Sequence, residues 1–270
     1  MLSRDPVPLE AWVEGNVDEK RLKEYQVEHP HDRQAGVPHT TCFLETINEP
    51  FSIKIQFLDQ KTFKAHQWFV QCSVDRQTLA GGMWVNNPAY RYSHFVERKD
   101  GLLYQSDMKF SPLPTTDDEE NVTIDNAQLQ DLGKIKILVH FGQWVTTRSE
   151  GKAHSVSMVS GTVHEKTKKI PYVVQGVNPK VIADTPSPTS YTFVVDKNGK
   201  NYYRFTFKYR PRPVLELMGV IEGEPEPTDL EVKDQQPQVG DGPASTAEKV
   251  KVENEEKGEE GPKSKKHKVN

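Results

Sequence analysis

Tyr203, Phe205, Phe207 and Tyr209 alternate with Tyr202, Arg204, Thr206, Lys208 and Arg210 near the end of the apolar part of the chain. Successive residues of a strand point to opposite faces, so this rhythm predicts one side in a core and the other in water. The rhythm recurs upstream. Phe51, Ile53, Ile55 and Phe57 alternate with Ser52, Lys54 and Gln56, and Trp68, Val70, Cys72 and Val74 with Gln67, Phe69, Gln71 and Ser73. Leu102, Tyr104, Met108 and Phe110 share a face, as do Ile135, Ile137, Val139 and Phe141, the latter opposed by Lys134, Lys136 and His140. Each segment predicts an antiparallel strand with one wet face.

Shorter strands are expected at Leu9–Glu14, Leu22–Glu28, Thr41–Glu45, Thr78–Trp84, Tyr90–Val96, Val156–Val163, Tyr172–Gln175 and Tyr191–Val195. Asp100-Gly101 and Asn198-Gly199 supply residues that accept positive φ, the requirement of tight hairpin turns. Pro213–Met218 reads as a short helix with Pro in its first turn and Gly219 to stop it, and a weaker helical turn is expected around Asp125–Leu129. Two polar segments, Ser111–Asp131 and Thr146–Ser155, read as mobile surface loops. The pattern describes an all-β protein, an antiparallel β-sandwich of jelly-roll-like or immunoglobulin-like type with one short C-terminal helix.

Composition changes the picture at one boundary. No aromatic residue follows Glu222, and Pro, Glu, Lys, Gly and Gln dominate from there on. Such a segment cannot bury enough apolar surface to offset the entropy of ordering it. The division is therefore a sandwich domain over 1–221 and a disordered charged tail over 222–270. The tail holds 13 acidic and 8 basic side chains, leaving 26 and 27 in the body, a net of +1. A nearly neutral body argues against a dedicated nucleic-acid binder. Two cysteines are too few for a disulfide framework, and no apolar run suits a signal peptide or a membrane span. An intracellular protein, nuclear or cytoplasmic, is expected, with the Asn121-Val122-Thr123 sequon idle.

Candidate chemistry is sparse. The run Asp117–Glu120 lacks the ligand spacing of a calcium loop and reads as a solvated turn. His140, His154 and His164 match no zinc spacing. Cys72 falls on a core face, and Cys42 has no activating base near it in sequence. No catalytic residue, metal or cofactor is predicted. Arg204, Lys208 and Arg210 on the polar side of their strand are a candidate contact surface. Trp12, Trp84 and Trp144 are a candidate sugar-stacking platform. In the tail, Lys263, Lys265, Lys266 and Lys268 form a basic cluster that reads as a nuclear import signal, or simply as a solubilising terminus.

Several stretches together resemble an uncharacterised fungal family, DUF7918. They are Glu10-Ala11-Trp12-Val13, Glu24-Tyr25-Gln26-Val27, Thr41-Cys42-Phe43-Leu44, Leu132-Gly133-Lys134-Ile135 and Val163-His164-Glu165-Lys166-Thr167-Lys168-Lys169. The most specific is Phe205-Thr206-Phe207-Lys208-Tyr209-Arg210-Pro211, followed by Leu215 and Gly219-Val220-Ile221. One departure is Ile170-Pro171, where the family tends to a small residue and glycine. The resemblance implies a β-sandwich with a variable charged tail and carries no established activity. Lys166, Lys168 and Lys169 enter as a further candidate contact surface because of their charge. The resulting expectation is a non-enzymatic interaction module whose partner is another protein. The alternative is a carbohydrate-binding or carbohydrate-active sandwich.

Overall fold

A computed structural model describes residues 1–2, 8–30, 38–79, 82–84, 87–124, 129–147, 155–167, 172–184, 190–195 and 203–223. The expectations for the tail, His154, Lys168, Lys169, Tyr202 and residues 125–128 of the weak helical turn lie outside them. The body is all-β, built from two sheets packed face to face. The six-stranded sheet contains β1 (Leu9–Gly15), β4 (Pro50–Phe57), β8 (Ala89–Tyr92), β9 (His94–Lys99), β10 (Leu102–Pro112) and β14 (Tyr172–Ile182). Its main order is β1-β4-β10-β14.

The eight-stranded sheet contains β2 (Glu24–Glu28), β3 (His39–Glu45), β5 (Gln67–Val74), β6 (Gln77–Thr78), β7 (Gly82–Trp84), β12 (Lys134–Thr147), β15 (Ser190–Val195) and β16 (Tyr203–Arg210). Its main order is β2-β3-β16-β12-β5-β6. Pairing is antiparallel except between β3 and β16, which run parallel. A small parallel pair joins β11 (Thr115–Thr116) to β13 (Val163–His164).

The core lies where the alternation places it. Phe51, Ile53 and Ile55 from one sheet and Ile135, Ile137, Phe205 and Phe207 from the other are fully buried. Burial of this kind contributes roughly 1.5–3 kcal/mol per large apolar side chain. The short helix α2 (Arg212–Leu217) ends in a Schellman motif. Val220 N–H donates to Leu215 O and Gly219 N–H to Glu216 O, with Gly219 at φ +66°. A further helix, α1 (Gln60–Ala65), has no counterpart in the apolar pattern. Asp59 caps it by accepting from the amides of Lys61 and Thr62, and Phe63 is its one buried residue.

Four expectations differ from the structure. In β10, Leu103 is buried and Leu102 exposed, the reverse of the predicted phase. Between Gln105 and Asp107 two steps of β10 face three of β14, so the extra residue lies in β14, and beyond this irregularity Met108 and Phe110 hold the core face. Asp100-Gly101 does make the predicted hairpin turn, with φ of +51° and +81°. The strands on either side of Asn198-Gly199, β15 and β16, are not paired neighbours, because both pair with β12, end to end along one side of it. Within Ser111–Asp131, Leu113, Ile124 and Leu129 are buried with Leu132, Val163 and Val173 in a second small core. Finally, of the strand expected over Val156–Val163 only the end at Val163–His164 forms.

Candidate interaction surface

Each sheet turns one face to the core and one outward, and the two outward faces are finished differently. On the six-stranded sheet, Trp12, Glu14, Ser52, Lys54 and Arg91 point outward from β1, β4 and β8. Trp12 is nonetheless buried. The Arg21 guanidinium sits 3.9 Å from the centre of its ring, and its indole N–H donates to Glu14 Oε2 at 3.0 Å. Glu14, only 3% exposed, holds Lys54 Nζ at 2.7 Å from Oε1. The angles there do not make a hydrogen bond, so this contact is an ion pair. Arg91 extends the network by donating to Ser52 Oγ and Asn16 Oδ1. This face is closed by its own side chains.

The eight-stranded sheet keeps an open aromatic cluster. Phe69 on β5, Trp144 on β12 and Phe193 on β15 are all half-buried on its outer face. Their ring centres are 4.9 Å apart for Trp144–Phe193, 5.4 Å for Phe69–Phe193 and 5.6 Å for Phe69–Trp144. Gly142 makes the cluster possible. A Cβ there would meet Val194 O at 2.2 Å and the Phe193 ring at 2.9 Å, so the bare backbone lets that ring cross the strand. Trp144 is fixed at two points, donating its indole N–H to Trp68 O at 3.2 Å and its backbone N–H to Gln67 Oε1 at 2.7 Å. His140 lies 5.9 Å from Phe69, is 9% exposed, and its Nδ1 has no hydrogen-bond partner among the described residues. Burial holds its pKa below the usual imidazole value.

Cations occupy the other half of the same face. Lys134 and Lys136 on β12 face Lys208 and Thr206 on β16, and Arg204 faces Leu138. Asp131 ties Lys136 at 3.1 Å, Arg76 at 3.7 Å and Lys134 at 3.8 Å, one acid among three cations. Lys208 Nζ lies 5.0 Å from the centre of the Phe43 ring. Arg210, expected beside Arg204 and Lys208, turns inward instead. It is 9% exposed and donates to Gly133 O and Tyr209 O, because the alternation stops at the last residue of β16. Arg204 and Lys208 remain half-exposed, and Lys166 is exposed in a 3-10 turn after β13.

The tryptophan platform is therefore dispersed. Trp12 lies on the opposite sheet under Arg21, the Trp84 side chain lies outside the described residues, and Trp144 stands with two phenylalanines that the platform reading left out. Phe69 had one legible signal, an aromatic residue in the polar register of its strand. Phe193 had none.

The buried Asp75 also escaped the pattern. It sits with Arg76 in the two-residue turn between β5 and β6, at φ +48° and +73°. Its carboxylate accepts from Gly133 N–H at 2.7 Å, Val174 N–H at 2.8 Å and the Tyr209 hydroxyl, tying β14 of one sheet to the other. Burial pushes its pKa up to about 6 against the opposing effect of those hydrogen bonds. A cleft of about 530 Å³ adjoins this turn, lined by Arg76, Gln77, Thr123, Ile124, Met158 and Ser160 among others. Asp75 is 1% exposed and its oxygens are occupied, which makes it a tie between sheets and not a reactive acid.

The remaining candidates resolve simply. Cys42 is buried with its thiol pushed up to about 12, and burial raises Cys72 further, so neither is a thiolate near neutral pH. Asp118 accepts from Glu120 N–H and Asn121 Nδ2, stabilising its own turn. His164 Nδ1 accepts from Lys166 N–H. Among the described residues no three His, Cys, Asp or Glu side chains gather as a metal would require, and no helix is long and apolar enough to cross a membrane. No curated protein and no solved structure matches the chain. Residues 11–224 match the family model of a domain of unknown function, DUF7918, and on that span the chain belongs to the DUF7918 family.

Proposed function

We propose that this protein is a non-enzymatic interaction module that meets a macromolecular partner through the outer face of its eight-stranded sheet. The observation that carries the reading is an open aromatic and cationic face beside an edge strand unsuited to pairing. The edge strand β2 of this sheet is broken by a register shift at Tyr25/Glu28, with Gln26 at φ +48°. Such a break discourages strand addition at that edge, which favours the face as the contact. In this reading the basic cluster at Lys263, Lys265, Lys266 and Lys268 directs the module to the nucleus. Replacing Lys265 and Lys266 by Ala in a fluorescent fusion is expected to shift it to the cytoplasm.

A photo-crosslinking side chain tests the face. Placed at Gln71 or Lys208 it is expected to trap a discrete macromolecule; placed at Gln56 on the other sheet it is not. Equal trapping from both positions, or none from either, overturns the reading. The aromatic cluster also favours carbohydrate as a second reading, since sugar rings stack their apolar faces on aromatic side chains. Failure of a glycan array to retain the protein removes it.

A further inference from the structure

We infer that the partner of the eight-stranded face is single-stranded nucleic acid, an inference that rests on the interaction reading above. Proteins that hold single strands without sequence preference combine aromatic side chains for bases to stack on with a basic track for the phosphates. Both lie on this face in one line. Along the outer side of β12 the chain passes Lys134, Lys136, Leu138, His140, Gly142 and Trp144, a length of about 34 Å at a strand rise of roughly 3.4 Å per residue.

At one end of this line the rings of Trp144, Phe193 and Phe69 form a half-exposed patch, with Gly142 leaving room for the Phe193 ring. At the other end Lys134, Lys136 and Arg76 surround the single acid Asp131, and Arg204 and Lys208 continue the positive charge onto β16. Farther across the sheet, Glu45 is already paired with Arg212 at 3.7 Å. The near-neutral total charge of the body thus hides, among the described residues, a local excess of cations on the same face as the rings. A neutral sugar chain would use the rings and leave the cations idle. A purely acidic peptide would use the cations and leave the rings idle. A single strand uses both.

The test is fluorescence anisotropy of the full chain with a short labelled single-stranded RNA of mixed sequence, measured across a salt series. Wild type is expected to bind with affinity that falls as salt rises. Trp144→Ala and Phe193→Ala should each weaken binding about 5- to 150-fold, the range for losing one stacked base. Lys136→Gln with Lys208→Gln, surface changes that leave the core untouched, should flatten the slope of log K against log salt by roughly 1.4. The variant Lys265→Ala/Lys266→Ala keeps the tail from being mistaken for the site.

Binding lost in that tail variant but unchanged in the aromatic ones overturns the inference, as does equal affinity for duplex RNA or for a sulfated polysaccharide. If RNA fails to bind while crosslinking at Gln71 still traps a protein, this inference falls and the interaction reading stands.

Discussion

Trp12 and Trp144 each stand on the water side of a strand, one in each sheet, yet they end in opposite states. Trp12 is roofed by Arg21 and fixed by Glu14, and its face is closed. Trp144 spends its indole N–H on the sheet beneath it and leaves its ring in a half-buried cluster with Phe69 and Phe193. The difference is in what surrounds the ring. Where its own strand supplies a buried carboxylate and Arg21 and Lys54 supply two cations, the aromatic residue becomes structure. Where the neighbours are a glycine and other rings, it stays half-exposed.

That comparison can be broken by measurement. Glu14→Ala leaves Lys54 without its counter-ion and the Trp12 N–H without an acceptor, and should cost about 3–5 kcal/mol in urea unfolding. Asp75 comes next. Its pKa is raised on folding, so between about pH 4 and 6 the folded state holds a proton that the unfolded chain releases. The stability it contributes is present in full below pH 4 and is lost as pH rises through 6, by up to roughly 3 kcal/mol. Asp75→Asn should remove that part of the slope when unfolding of the two proteins is compared from pH 4 to 7. An unchanged slope would show that the proton sits elsewhere.

Smaller effects separate the faces further. Trp144→Ala should lower stability by only about 1–2 kcal/mol, because the ring is half-exposed; a loss as large as that of Glu14→Ala would make the open cluster a structural element and end the contrast. Arg21→Ala should cost about 0.5–1 kcal/mol, the value of one exposed cation–π contact. It should also increase quenching of tryptophan fluorescence by iodide. No change in quenching would mean that Arg21 does not cover Trp12.

The helix α2 was legible because Pro213 and Gly219 mark its ends, and the long strands because their apolar side repeats every second residue. The helix α1 was not, since it has one buried residue and so no repeat to detect. The phase error in β10 has the same origin. The irregularity opposite it lies in β14, and a register shift in a partner strand leaves no mark in the apolar repeat of β10.

The order of polar and apolar residues alone determined that this chain forms strands, which side of most of them is wet, and where the body gives way to a charged tail. Alternation along a strand is a local property, set by backbone geometry. Only the tertiary structure decided that Arg210 turns inward, that Asp75 ties the two sheets, and that Phe69, Trp144 and Phe193 converge over Gly142. Those outcomes depend on strand order and register, which bring together residues as far apart as Asp75 and Tyr209, and no local repeat encodes them.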